Sequence, residues 1–417
     1  MLAGAGAAVV GSLPQLAASA SAPIPYRALV LVELAGGNDS MNMVVPTGTG
    51  YATYATARGA LAVPQAQLHP LHAGFGLHPS MLPLAAKANR LAVVTNCGPL
   101  VQPTTKAQWA SGSAPVPPQL FSHSDQTRIW ASPAANSPDN AQGWGRLIGQ
   151  AVQANNAHQP LTVVSFSGGA KIVGGCYSMS ANGPVALYGA WGGDGARRRN
   201  TLEALNALPS IGPVDALVAT RTREALDLAA IVGGVYSTAP AMSQFPGTYI
   251  GQALRGVARM LSCRQALGMQ RQVFYVRMGG FDTHGDAGVH ASLLAQLGAA
   301  LAAFHDETVA QGADVASLVY SEFGRTLRSN ANGSGSGSDH AWGGHAMVLG
   351  TSVVGGIYGT PPDLTIGGPD DVGLGRLVPT TSHCQVAATL AQWMGVGAPI
   401  TLFPNLSNFP AGVLGFL

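Results

Sequence analysis

Carboxylates and imidazoles are concentrated at a few points of this 417-residue chain, although charged residues make up only 10% of it. Such side chains are the usual protein ligands of Zn²⁺, Mn²⁺, Mg²⁺ and Ca²⁺, so we expect one or two divalent ions as cofactor. The candidate metal ligands are Asp39, Asp282, His284, Glu322, Asp339, His340 and His345.

Apolar runs of strand length stand beside most of these residues. Continuous apolar runs are typical of strands buried on both faces. Helical patterns lie between several of the runs, most clearly at 289–309 and 383–395. This alternation predicts an α/β fold, a doubly wound, mostly parallel sheet with helices on both faces. The predicted strands are residues 27–34, 91–96, 161–166, 272–278, 315–320 and 345–350.

The predicted strand ends give the acidic residues a common location. Ligands of open α/β sheets bind beyond the carboxyl ends of the strands. Asp39, Asp282 and Glu322 each follow a predicted strand, and Asp339 stands shortly before another. We therefore expect one shared metal site. An aspartate after a strand is also typical of a helix cap or a turn, and that interpretation stays open.

Ser122, in the stretch FSHSDQ at 121–126, is the candidate catalytic nucleophile. It precedes a helix-like segment, and a helix N-terminus favours the anion that an activated serine becomes. Ser122 or Ser124 can instead simply cap that helix. Ser40 is a rival nucleophile, although it stands next to the candidate ligand Asp39.

Arg146 in GWGRL and Arg325 in SEFGRT are candidates for stabilising negative charge in a transition state. Arg146 can equally pair with a surface acid, and Arg325 can form an internal ion pair with Glu322. His284 and His345, besides being candidate ligands, are candidates for the general acid.

Composition limits the classes of partner and location. A formal net charge of +2 gives no sign of nucleic-acid binding. After the N-terminus no apolar run reaches the ~18 residues of a membrane span. Residues 1–22 are small and apolar and end in Ala-Ser-Ala, which predicts the remnant of an export signal and a periplasmic or extracellular location. A plain N-terminal tail is the alternative.

The rest of the chain, 23–417, is predicted to be a single domain. Segments 99–160 and 168–215 are rich in Gly, Pro, Asn and Ser, and we expect them to be long loop insertions. Segment 330–338 is predicted to be flexible. The four isolated cysteines are compatible with one or two disulfides or with buried free thiols.

Six short motifs, taken in order, resemble a known family. It is a large bacterial exported family of unknown function within the alkaline phosphatase/sulfatase superfamily, and its members typically carry a twin-arginine leader. The resemblance spans roughly residues 27–360. The motifs are Ala35–Asp39, Phe121–His123, Gly143–Arg146, Phe281–His284, Ser321–Thr326 and Asp339–His340.

The resemblance implies an alkaline-phosphatase-like fold with metal at the strand ends. Asp39 would hold one ion, Ser122 would be the nucleophile, and Asp282 with His284 would hold a second ion. His290, one helical turn further on, is an alternative to His284.

The sequence departs from the superfamily pattern after the strand at 315–320. Ser-Glu-Phe follows it, where the superfamily has Asp-His. Glu322 would replace the aspartate, and Asp339-His340 would take the place of the final histidine. The number of ions, one or two, stays open.

Two functions are therefore carried forward. The first is an exported metal-dependent hydrolase of phosphate or sulfate esters, acting on a small anionic ester or on a sulfated or phosphorylated polymer. The second is a catalytically inactive exported binding or surface protein on the same scaffold.

Overall fold

The computed structural model describes residues 25–72, 74–137, 142–185, 194–331 and 336–417. The predicted export signal at 1–22 lies outside these residues, as does part of segment 330–338. The strands are β1 (Arg27–Leu34), β2 (Val44–Pro46), β3 (His69–His72), β4 (Phe75–Leu77), β5 (Leu91–Gly98), β6 (Val163–Ser165), β7 (Tyr177–Ser180), β8 (Gly183–Pro184), β9 (Arg271–Met278), β10 (Asp314–Tyr320), β11 (Gly344–Gly350), β12 (Gly356–Tyr358) and β13 (Thr381–Ser382). The helices are α1 (Ser40–Met43), α2 (Thr49–Arg58), α3 (Leu82–Ala85), α4 (Lys106–Ser111), α5 (His123–Ala131), α6 (Trp144–Val152), α7 (Gly195–Asn206), α8 (Pro213–Ser237), α9 (Tyr249–Ser262), α10 (Ala287–Ala310) and α11 (His383–Met394).

One large sheet organises the described chain, in the order β12-β5-β11-β10-β1-β9-β6-β7-β8, with β13 also pairing with β5. The central strand β1 is parallel to β9 and β10, and β6 and β7 continue in the same direction. β11 is antiparallel to both β10 and β5, and β8 is antiparallel to β7. The sheet is therefore mostly parallel, which confirms the predicted fold class. Strands β2, β4 and β3 form a small separate sheet.

Both faces of β1 are buried, as its continuous apolar run predicts. Val30 and Val32 pack into one hydrophobic cluster with residues of α9 and α10. Leu29 and Leu31 alternate with them and pack into a second cluster with residues of α6 and α11. Successive side chains of a strand point to opposite faces, so an unbroken apolar strand needs helices on both sides. The two clusters supply that doubly wound arrangement.

The predicted strands are present, with small differences in length. The strand expected at 161–166 is reduced to β6, because a 3₁₀ turn occupies Gln159–Thr162. The segments 99–160 and 168–215 were both expected to be loop insertions. The first contains α4, α5 and α6, and the second contains β7, β8 and α7. The amphipathic α6 buries Trp144, Ile148 and Val152 within the second cluster. Because glycine and proline are abundant around these short helices, their helical periodicity is not evident in the sequence.

The direction of β11 determines where the residues that precede it in the sequence lie. In β10, Ala316 pairs with Gly350 and Val319 pairs with Met347, so the two strands run in opposite directions. The start of β11 therefore lies at the same sheet edge as the carboxyl end of β10. Residues 339–345 are brought in this way to the edge that Glu322 also reaches.

Two further sequence questions concern membranes and cysteines. Among the described residues, no helix combines the length and apolar character that crossing a membrane requires. Cys97, Cys176, Cys263 and Cys384 are all free thiols, and three of them are buried. Of the two interpretations that the sequence left open, the structure has the one without disulfides.

Candidate metal centre

Tight turns at the carboxyl ends of β1 and β9 bring two loops into contact. Gly36 and Gly37 have φ angles of +120° and +79°, which side-chain-bearing residues rarely adopt. A Cβ atom on Gly36 would lie 2.4 Å from the backbone nitrogen of Asp282. The amide of Gly36 also donates a hydrogen bond of 2.8 Å to Glu322 Oε1, beyond β10. Only glycine allows the strand-end loops to approach this closely.

A cluster of imidazoles surrounds one carboxylate oxygen at this edge. Asp282 Oδ1 lies 3.0 Å from His284 Nε2, 3.3 Å from His340 Nε2 and 3.5 Å from His123 Nε2. The Nε2 atoms of His284 and His340 are 2.9 Å apart. The four residues come from the loop after β9, the loop before β11 and the first position of α5.

The other ring nitrogen of each histidine faces a hydrogen-bond acceptor. His123 Nδ1 lies 2.9 Å from Glu322 Oε1, His284 Nδ1 lies 3.1 Å from Asp339 Oδ1, and His340 Nδ1 lies 2.8 Å from the Phe121 carbonyl. A carboxylate or a carbonyl oxygen can only accept, so each Nδ1 is the protonated nitrogen. A ring that carries this one proton has its lone pair on Nε2, and the three Nε2 atoms converge on Asp282.

The Phe323 ring packs against two of these imidazole rings. Its ring centroid lies 4.8 Å from that of His123 and 4.6 Å from that of His340. A Cβ atom on Gly37 would meet the Phe323 ring at 2.2 Å, so the glycine turn also makes room for this support.

Arg325 fixes the loop that carries Asp282. Its buried guanidinium donates to the carbonyls of Gly36, Gly37 and Ser338 at 2.6–2.7 Å, and it also contacts Asp282 Oδ1. Burial alone would raise the pKa of Asp282, but the hydrogen bond and the positive charge of Arg325 outweigh burial and lower that pKa to about 2. Asp282 is therefore ionised at neutral pH.

The acid–base state of two other members also suits a cation. Burial lowers the pKa of His340. Burial tends to raise the pKa of Asp339, but hydrogen bonds from Asn330 and His284 outweigh it and lower the pKa. Metal ligands must be unprotonated at the coordinating atom, and neutral imidazole with ionised carboxylate meets that condition.

The donor set fits a single small divalent cation. A four-coordinate Zn²⁺ with ligands at about 2.0–2.1 Å holds its ligand atoms about 3.3 Å apart. The distance between the Nε2 atoms of His284 and His340 and the three distances from Asp282 Oδ1 to the Nε2 atoms, 2.9–3.5 Å in all, are close to that value. His123 Nε2 is also a buried nitrogen that lacks a hydrogen-bond partner. A cation would satisfy this atom. One donor atom each of His123, Asp282 and His340 lies within 4.8 Å of the others.

Asp39 lies in a different environment from this cluster. It is buried and forms an ion pair with Arg58, whose side chain is fully buried. Arg58 also donates to the carbonyl of Thr326 at 2.8 Å. The Oδ1 atom of Asp39 is buried without a hydrogen-bond partner. Arg58 therefore supplies the positive charge beside Asp39.

The other predicted site residues lie at several places. Ser122 is the N-cap of α5, directly before His123, and donates to Asp125 Oδ2 at 2.6 Å. Ser40 Oγ accepts the backbone N–H of His345 at 2.7 Å. Arg146 lines a separate cleft of about 880 Å³ and lies near the carbonyl of Gly175.

His345 and His290 also lie outside the cluster. His345 is buried at the start of β11, and its Nδ1 accepts the N–H of Asn96 at 3.1 Å. His290 is buried in α10, and its Nε2 lies 2.8 Å from Asn38 Oδ1. The structure thus joins Asp282, His284, Glu322, Asp339 and His340 in one network, and it leaves Asp39, His345 and Arg146 outside.

Sequence reasoning did not select His123 as a ligand. The available signal was its position next to the candidate nucleophile Ser122, at the start of a helix-like segment. No local pattern shows that α5 begins at the carboxyl edge of the sheet, since its neighbours there come from residues about 160–220 positions later.

The fold and the cluster together define an α/β protein with a candidate metal centre at the carboxyl edge of its sheet. More specifically, the chain belongs to the family described as "Protein of unknown function (DUF1501)", whose model matches residues 26–372. No curated protein matches the chain in sequence.

Three solved structures are similar to the chain at low scores. The C-terminal periplasmic domain of EptC from Escherichia coli, in complex with Zn, has a TM-score of 0.37 and 9% identity, with 89% of this chain and 83% of that chain covered. A Bacteroides thetaiotaomicron structure connected with glycosaminoglycan metabolism has a TM-score of 0.34 and 11% identity, with coverages of 89% and 73%. A 2-O glycosaminoglycan sulfatase has a TM-score of 0.28 and 12% identity, with coverages of 91% and 74%.

Proposed function

We propose that this chain is an exported metal-dependent hydrolase of phosphate or sulfate esters. One observation carries the proposal: three histidines have their Nδ1 atoms held by acceptors while their Nε2 atoms converge on an ionised aspartate. Second acceptors of this kind orient metal-binding imidazoles and raise their basicity. His123, Asp282, His284 and His340 would hold the ion, and Glu322 and Asp339 would orient two of the rings.

The proposed chemistry is hydrolysis of an anionic ester. A divalent cation held by these four residues would act as a Lewis acid on the ester oxygen. One Nη group of Arg325 contacts Asp282 and keeps it in place and ionised. The other donors of Arg325 are bonded to backbone carbonyls and are not free to bind the ester. We therefore assign Arg325 the role of a positioning residue.

Arg376 is the cation that we propose for binding the ester anion. Its guanidinium lies 4.9 Å from the centre of the Phe121 ring, and its Nε donates to the His340 carbonyl at 3.0 Å. These contacts hold it beside two residues of the site. Its terminal Nη groups make no hydrogen bond within the described chain, so both remain available for an anionic oxygen.

Ser122 remains the proposed nucleophile. It directly precedes His123, and the Phe121 carbonyl on its other side contacts His340. Asp125 accepts the hydrogen bond of the Ser122 hydroxyl, as an activating base would. Arg128 pairs with Asp125 at 3.1 Å.

A catalytically inactive exported binding protein is the second candidate. The same Ser122–Asp125 hydrogen bond favours it, since this bond also describes an ordinary helix cap. The ion pair of Asp39 with Arg58 favours one bound ion over two in either case. The export signal at 1–22 and the single domain at 23–417 stay predictions.

The two candidates differ in turnover. We expect the zinc- or manganese-loaded protein to hydrolyse 4-nitrophenyl phosphate or 4-nitrophenyl sulfate, and Ser122→Ala to reduce kcat by about 10³-fold or more. His158→Ala, away from the cluster, is the control. A metal-loaded protein that turns over neither ester favours the binding protein. Equal rates for wild type and Ser122→Ala remove Ser122 from the mechanism.

A further inference from the structure

His345, which the metal cluster does not include, has an unusual hydrogen-bonding state. Its Nδ1 accepts the backbone N–H of Asn96 at 3.1 Å, so the ring proton must be on Nε2. The residue is only 6% exposed. No residue of the described chain accepts a hydrogen bond from Nε2. Nε2 is not one of the fully buried unpartnered side-chain atoms of the described chain, so this donor is open to water or to a ligand.

The same histidine lines a cavity of about 340 Å³. The other walls include Met41, Phe75, Pro361 and Leu364, with Thr53 among the lining residues. The Phe75 ring stands perpendicular to the imidazole, with centroids 6.4 Å apart. Such a space, mostly apolar with a few polar groups (here His345 and the hydroxyls of Thr47, Thr49 and Thr53), is typical of pockets for small molecules.

A second cavity touches His345 but is far smaller. It measures about 10 Å³ and is lined by Asn38, Ser40 and Cys97, among others. A volume of this size accommodates one water molecule at most. The larger cavity is therefore the one that can hold an organic ligand.

The charge of the cavity narrows the class of ligand. His345 is neutral at physiological pH, because burial lowers its pKa to about 4. Asp363 is the one ionisable wall residue besides His345, and it is exposed and bonded to the backbone N–H of Thr365. An anion would find no cation among these wall residues, so the ester substrate of the metal site does not suit this cavity.

We infer that the cavity beside His345 binds a small, uncharged, largely apolar molecule whose carbonyl oxygen accepts the Nε2–H of His345. The apolar walls would bury the body of the ligand, and the carbonyl would accept the Nε2–H hydrogen bond in place of water. This site is independent of the proposed hydrolase activity.

Acetophenone and ethylbenzene are two probes of similar size, and only acetophenone has a carbonyl oxygen. Each is titrated against the full chain, and binding is followed by ligand-observed NMR. Acetophenone should bind about three- to tenfold more tightly than ethylbenzene, the worth of one hydrogen bond. His345→Phe should remove this preference. Thr53→Trp, an exposed position at the wall of the cavity, should abolish binding of both probes without disturbing the core.

Three results would overturn the inference. They are equal affinity of the two probes for the wild-type protein, absence of binding by either, and unchanged binding to Thr53→Trp. If His345→Phe does not fold, the comparison of the two probes on the wild type and on Thr53→Trp still decides the question.

Discussion

At the scale of single residues, the partner of Nδ1 determines what each histidine can do. In His123, His284 and His340 an acceptor holds Nδ1, so the Nε2 lone pair is free to coordinate. In His345 a backbone N–H occupies Nδ1, so Nε2 becomes a donor. Residue types in the sequence show none of this, because the tautomer depends on atoms brought in by folding.

Asp339 tests the role of these acceptors. Asp339→Asn should weaken zinc affinity by about tenfold to a hundredfold, because the amide orients His284 less firmly and carries no charge. A competition titration against a chromophoric chelator measures the affinity. The Asp339 side chain is 41% exposed, so stability should hardly change. Asp363→Asn, also an exposed turn aspartate, is the control. Equal affinity in wild type and Asp339→Asn would argue against an orienting role.

Arg376 tests the assignment of the anion-binding cation. Arg376→Gln should lower kcat/KM for a hydrolysed ester by about tenfold to a hundredfold, the worth of a charge-assisted hydrogen bond. Zinc affinity should stay unchanged. Arg146→Gln is the matched control, since Arg146 lies in a separate cleft. A larger loss for Arg146→Gln than for Arg376→Gln would reverse the assignment.

At the scale of elements, the sequence predicted the strands well because apolar runs are a local signal. It also placed Asp282, Glu322 and Asp339 near one sheet edge, since each adjoins a predicted strand. It could not predict that Asp39 pairs with Arg58, at the end of α2, because that contact depends on how a helix packs. The antiparallel direction of β11 was equally outside any local pattern.

The turn after β1 provides an element-scale prediction. Gly37 and Gly168 have φ angles of +79° and +76°, but only Gly37 has a close neighbour at its Cβ position, the Phe323 ring. Gly168→Ala should cost about 1–2 kcal/mol, the backbone penalty alone. Gly37→Ala should cost clearly more and should also weaken zinc binding, since Phe323 supports His123 and His340. Urea unfolding of the two variants measures the difference, and equal costs would show that Phe323 yields freely.

At the scale of the whole molecule, the chain has few charged residues and several histidines that are buried and neutral. Burial lowers the pKa of His290, His345 and His383 to about 4 each. The pKa of a histidine in the unfolded chain is about 6.5. The unfolded chain therefore binds more protons than the folded chain between these values. The free energy of unfolding should be steady above about pH 6.5 and fall as pH decreases towards 4.

His383 isolates one part of this effect, because its ring contacts Ser132 and Trp130 and none of the four candidate metal ligands. His383→Gln should reduce the slope of unfolding free energy against pH by up to about 1.4 kcal/mol per pH unit below pH 6.5. Urea unfolding with a chelator present, from pH 4.5 to 7.5, measures it. His158→Gln should leave the slope as in wild type, and an unchanged slope in His383→Gln would contradict the account.

The metal content of the purified protein tests the central claim most directly. After loading with zinc and dialysis, the wild type should retain one zinc ion per chain by elemental analysis. His340→Ala and Asp282→Ala should each lose it, while His158→Ala should keep it. A wild type that retains no stoichiometric zinc, manganese or calcium, or variants that retain as much as the wild type, would contradict the account.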